Sequence, residues 1–135
     1  MVMRLLNQAG QYIERKIKEV IMAGKEELKK GLSKWKAIAE DPEMAEHFIG
    51  YNKTMQLVFP DVNVGLQMVF KGSNVDIVEG IKEDADMSLS LDSEMFMGII
   101  NGDIDPIDAF MEGKIKPTGS MEDLEKLQVL MDIEL

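Results

Sequence analysis

The chain has no cysteine and one histidine. Without cysteine it has no disulfide, no thiolate nucleophile and no cysteine metal site. The lone His47 sits in AEHFIG with no visible metal partners, so it reads as a surface or half-buried helix residue. No nucleophile–base pair can be assembled from this inventory. Carboxylate pairs exist, but helix ends account for their positions. The expectation is a protein that is not an enzyme and uses no cofactor and no metal. No apolar run approaches the ~18 residues of a membrane span. Near the start, Asn7, Gln8, Gln11 and Glu14 interrupt the continuous apolar region that a signal peptide needs. The expected location is therefore the cytoplasm. Basic charge is also scarce: 15 Lys and Arg stand against 25 Asp and Glu, a net charge of −10. Such a surface repels nucleic acid and anionic headgroups. Nucleic acid is excluded as a partner, and membrane contact is at most transient.

The residues that are present suit one soluble domain. The chain has 135 residues, 45% hydrophobic and 30% charged, and reads as a single domain over 1–135 with a helical segment at 1–50 and a core at 52–135. Val2, Leu5, Leu6, Ala9, Ile13, Ile17, Val20 and Ile21 recur at steps of three and four, one face of a helix that Gly24 is expected to stop. Leu28, Leu32, Trp35, Ile38 and Ala39 continue the period in a second helix. Asp41-Pro42 predicts the start of a third, Glu43 to Ile49.

From Lys53 the period falls to two. Met55, Leu57 and Phe59 alternate with polar or smaller residues, then Val64, Leu66, Met68 and Phe70 after a Pro60-Asp61 turn. Val75 and Ile77 form a short third strand, and Met87, Leu89 and Leu91 a fourth. This spacing predicts a largely antiparallel sheet with one strongly apolar face. Asp92 is placed to cap a helix from Ser93 to Asn101, oily nearly all round and therefore buried. Asp105-Pro106 starts another helix that Gly113 ends. Lys114 to Thr118 reads as a fifth strand, at an edge or ending at Pro117, which cannot donate to a ladder. Ser120 and Asp123 then open a last helix through Met121, Leu124, Leu127, Leu130 and Met131.

Within Asn101–Glu112, the residues Asn101, Asp103, Asp105 and Glu112 occupy positions one, three, five and twelve of a calcium-loop spacing. The sixth position needs a left-handed glycine. Here it is Pro106, whose ring holds φ near −65°. The acidic residues are instead expected to cap and complement a helix N-terminus.

The order and residues of these parts resemble the sterol carrier protein 2 family of lipid-binding and lipid-transfer domains. The resemblance rests on the strand Ala85, Asp86, Leu89, Leu91, on the capped helix with Asp92, Glu94 and Phe96, and on a run of spaced residues. That run is Gly102, Pro106, Ala109, Phe110, Gly113, Lys114, Ile115, Lys116 and Gly119. The match covers roughly Asn52 to Leu130. It implies an α+β fold: a five-stranded, largely antiparallel twisted sheet covered on one face by helices, here with extra N-terminal helices. It also implies an apolar tunnel for a fatty acid, fatty acyl-CoA or sterol-like lipid.

Twelve methionines against five phenylalanines suit a cavity that accepts variable aliphatic chains, since the thioether is flexible and polarizable. The residues expected to meet the ligand are Met55, Leu66, Met68, Met87, Leu89, Phe96, Ile99, Ile100, Phe110, Met111, Leu124 and Leu127. Each has an alternative role as ordinary core. Lys114 and Lys116 either meet a carboxylate or phosphate at a tunnel mouth or face water on an edge strand. A second functional reading on the same fold is an interaction module or homodimer, with the groove filled by the protein's own side chains.

Overall fold

The computed structural model describes residues 2–131; within the first helix, side chains are described at Ile13, Arg15, Lys16 and from Gly24 onward. The elements run α1 (Val2–Glu40), a 3₁₀ turn (Ala45–Phe48), β1 (Thr54–Phe59), β2 (Val64–Lys71), β3 (Asn74–Glu79), β4 (Met87–Leu91), α2 (Ser93–Ile100), α3 (Pro106–Met111), β5 (Ile115–Thr118) and α4 (Met121–Leu130).

The two N-terminal helices expected from the sequence are one. Gly24 lies inside α1. A single glycine costs a helix only ~1 kcal/mol relative to alanine, and the strong helix formers of Lys25–Lys30 come directly after it. Leu28, Leu32, Trp35 and Ala39 are buried on one face. Of the apolar face expected at the start of the helix, Val2, Leu5, Leu6, Ala9, Ile17, Val20 and Ile21 lie outside the described side chains, and Ile13 is exposed. The third helix expected at Glu43–Ile49 is a turn followed by the 3₁₀ segment. Asp41 does accept a hydrogen bond from the Glu43 amide at 2.9 Å, but no α-helix propagates from it. The short tight turn instead drives Phe48 into the core, stacked on Phe70 at 5.4 Å.

The sheet order is β3-β2-β1-β4-β5. Pairing is antiparallel except between β1 and β4, which are parallel with Met55 beside Met87 and Leu57 beside Leu89. A parallel pair needs a crossover. Residues 80–86 supply it, passing over the sheet face opposite the helices. The amide of Lys82 donates to Gln56 Oε1, and the amide of Thr54 donates to Asp86 Oδ2 at 2.8 Å. Gly65 makes room beneath: a Cβ there would lie 2.3 Å from Ile81 Cγ1. The crossover explains why Thr54 and Gln56 are buried although they point away from the main core.

That core lies between the apolar sheet face and the helices. Phe96 of α2 sits edge-on to Trp35 of α1 and to Phe59 of β1, both at 5.3 Å between ring centroids. The exposed backbone of β3 is blunted by α1: Glu40 Oε2 accepts from the Val75 amide at 3.2 Å, Lys25 pairs with Glu79 at 2.6 Å, and Lys29 pairs with Glu79 as well. β5 forms the other edge, where Pro117 costs no ladder bond toward solvent.

Candidate functional site

The candidate site is built where α3, β5 and α4 meet. Asp105 accepts from the Ile107 amide at 2.8 Å and caps α3, with Pro106 in the first turn. The acidic loop thus ends as a helix cap. Ala109 turns inward from α3 and is buried. Ile107 and Phe110 flank it on a partly solvent-facing side, and Phe110 is 56% exposed. On β5 the period of two sends Ile115 and Pro117 toward the helices. α4 closes the space with Leu124, Leu127 and Gln128. These residues, with Pro106 and Met131, line an apolar cavity of about 240 Å³.

A second, larger and more open groove of about 770 Å³ lies beside it. Its floor is Trp35 and Ile38 of α1, Ile99 and Ile100 of α2, and Ile104 of the α2–α3 loop. Lys34 stands on the α1 wall, and Asp103 and Asp105 on the loop wall. Pro106, Ile107 and Met131 line both spaces.

The residues expected to meet a ligand fall into separate places. Phe110, Leu124 and Leu127 line the apolar cavity, and Ile99 and Ile100 line the groove. Met55, Leu66, Met68, Met87, Leu89 and Phe96 are fully packed in the core and line neither. The reason is steric: Phe96 fills the space between α1, α2 and the sheet. Met111 is 78% exposed and lines neither space. Ile107, Ile115, Pro117 and Gln128 are site residues that the sequence reading does not single out as ligand contacts, whereas Met131 is named there among the methionines of the last helix. The alternation of β5 is the available signal for Ile115 and Pro117. No signal in the chain brings Lys34 and Trp35 to the loop before α3.

Lys114 and Lys116 point the other way from Ile115 and Pro117. They line a separate cleft of about 390 Å³ with Ser90, Asp92 and Met95, away from the apolar cavity. Lys114 pairs with Glu112 at 2.9 Å. His47 is exposed. Its carbonyl accepts from Lys126 Nζ, which ties the 3₁₀ turn to α4.

The N-terminal end of α4 is held by a buried polar network. Tyr51 donates its hydroxyl to Asp123 Oδ1 at 2.7 Å, Ser120 donates to Oδ2 at 2.8 Å, and Lys53 lies 3.4 Å from the carboxylate. Ser120 and Asp123 form a reciprocal capping box. Burial pushes the Asp123 carboxyl up. The bonds from Tyr51 and Ser120 and the Lys53 charge outweigh it and hold the group below its usual value. Burial and the Asp123 bond push the Tyr51 phenol well above its usual range. The network is structural: it ties the start of α4 to Tyr51 and Lys53 in the segment before β1.

The profile of the SCP-2 sterol transfer family matches residues 32–132. The chain belongs to that family. The match begins within α1, so residues 32–40 at the end of this helix are part of the SCP-2 unit, which the sequence resemblance places only from Asn52 onward. Solved structures share the fold. The sterol carrier protein domain 2 of Helicoverpa armigera superposes with a TM-score of 0.61 and 22% identity, over 77% of this chain and 84% of that one. Sterol Carrier Protein 2 Like 2 from Aedes aegypti gives 0.58 and 19%, over 79% and 95%. The stereoselective inverting sec-alkylsulfatase Pisa1 from Pseudomonas sp. gives 0.54 and 19%, over 66% of this chain. The chain spans only 14% of that enzyme's length. No curated protein sequence matches the chain. The SCP-2 fold is a lipid-binding fold, and among the described residues no helix is long and apolar enough to cross a membrane.

Proposed function

We propose that this SCP-2 chain binds a lipid through its aliphatic portion, without catalysis, in the apolar cavity between α3, β5 and α4. One observation carries the reading: in a lipid-binding fold, a cavity of about 240 Å³ is walled almost wholly by Ile107, Phe110, Ile115, Leu124, Leu127 and Met131. Small-ligand sites are mostly apolar concavities with few polar groups. Burying an aliphatic chain there releases apolar surface from water at roughly 25 cal/mol per Å². Fatty acids, acyl-CoA and sterol-like molecules all present such surface. A shape-tolerant apolar wall separates them poorly, since one methylene is worth only about 1–3 kcal/mol.

Native mass spectrometry of the purified protein is expected to show a bound lipid, and a fluorescent fatty acid is expected to be displaced by unlabelled lipid. Leu124→Trp, which fills the cavity from a half-buried position, should weaken the probe at least about tenfold, or ~1.4 kcal/mol. Absence of both bound lipid and probe binding would overturn the reading.

A further inference from the structure

The apolar cavity and the open groove share three residues at their junction: Pro106, Ile107 and Met131. Ile107 and Met131 are apolar side chains at the ends of α3 and α4, the methionine unbranched and flexible, and Ile107 is 44% exposed. The partition between the two spaces is therefore made of side chains and not of backbone. A methylene occupies about the room of a liquid water, ~30 Å³, so the cavity alone takes roughly eight carbons. A longer chain stays on apolar surface by passing between Ile107 and Met131 onto the floor of the groove.

The rims of that groove carry opposite charges. Lys34 is the cation on the α1 wall; Asp103 and Asp105 are the anions on the facing loop. Lys34 makes no salt bridge among the described residues, so it is not neutralised by either aspartate. Asp105 uses Oδ1 for the Ile107 amide, which leaves its second oxygen free of the cap. A head group bearing both signs satisfies both rims at once. A carboxylate would meet two aspartates on a protein of net charge −10, and a simple cation would meet Lys34.

We propose that cavity and groove are two compartments of one site, joined past Ile107 and Met131, and that this site selects a single-chain amphiphile with a zwitterionic head. The proposal rests on the lipid-binding reading above. The chain lies in the cavity and along Trp35 and Ile38. The anionic part of the head faces Lys34 and its cationic part faces Asp103 and Asp105.

The test uses the full chain and four dodecyl amphiphiles below their micelle concentrations: dodecylphosphocholine, laurate, dodecanol and dodecyltrimethylammonium. Dodecylphosphocholine is expected to bind about threefold to tenfold tighter than laurate, the scale of exposed charge pairs. Asp103→Asn should shrink that margin, and Lys34→Met should shrink the margin of dodecylphosphocholine over dodecyltrimethylammonium. In a chain-length series of phosphocholines, affinity should keep rising beyond octyl, by up to about fourfold per methylene. Met131→Trp, which blocks the partition, should make it level off at octyl. Laurate or dodecyltrimethylammonium binding as tightly as dodecylphosphocholine overturns the head-group assignment. A chain-length series unchanged in Met131→Trp overturns the joined compartments. If no amphiphile binds at all, the lipid-binding reading itself fails, and that result is distinct from both.

Discussion

Asp123 is the most constrained polar residue of the described chain. It is 2% exposed, yet its two oxygens meet Tyr51, Ser120 and Lys53. Removing one donor leaves part of a buried carboxylate unpaired. Tyr51→Phe should therefore cost about 1–3 kcal/mol in chemical denaturation. The pH dependence has two limbs. The folded Asp123 carboxyl titrates below its usual 3.8, so its stabilisation is present above that pH and is lost as pH falls through the depressed value. The folded Tyr51 phenol titrates above its usual 10.0. The unfolded chain loses that proton first, so stability is level below pH 10.0 and falls above it. A melting curve against pH should show a neutral plateau with both limbs. Tyr51→Phe should flatten the alkaline one, and an unchanged alkaline limb would remove Tyr51 from the account. None of this was legible in the sequence beyond the Ser120–Asp123 cap, because Tyr51 and Asp123 are brought together only by folding.

At the scale of elements, strands were easier to read than helix ends. The period of two marks β1 to β5 because one face of the sheet is buried and the other is crossed by a single loop. Helix continuity past a weak residue depends on its C-terminal neighbours. In α1 the neighbours of Gly24 are a run of strong helix formers, anchored through Lys25 and Lys29 to Glu79. Two glycines within α1 separate propensity from packing. Gly24 has nothing within 4 Å of where a Cβ would stand, so Gly24→Ala should stabilise the protein by about 1 kcal/mol. Gly31 faces α2, where a Cβ would lie 3.0 Å from Phe96 Cε2 and 3.3 Å from Met97 Sδ. Gly31→Leu should cost about 1–3 kcal/mol by pushing α1 away from Phe96. Urea denaturation of the two variants gives both signs, and a neutral Gly31→Leu would mean that the α1–α2 contact is loose.

For the whole molecule, the functional claim is a matter of mass action. A ligand that binds only the folded state stabilises it by about 2.7 kcal/mol at a hundred times its Kd. In a domain of this size that is a rise in Tm of roughly 10 °C. Differential scanning fluorimetry with dodecylphosphocholine should show such a rise. Leu124→Trp should show little of it at the same concentration. A shift of equal size in both would place binding outside the cavity.

The family, the five strands, the cap on α3 and the edge position of β5 can all be read from the chain alone. Each rests on local chemistry: side-chain period, proline geometry, a carboxylate near free amides. The division of apolar residues into packed core and cavity wall is set by tertiary packing. Met68 and Leu127 look alike in a chain, but Phe96 fills the volume above the central strands, whereas Phe110, the aromatic residue lining the space between α3, β5 and α4, is 56% exposed and leaves it open. The same holds for the charges. Lys34 and Asp103 are far apart in sequence, and they share a groove only because α1 packs across α2. Open volume and juxtaposed charge are properties of how elements meet, and local sequence pattern carries no record of them.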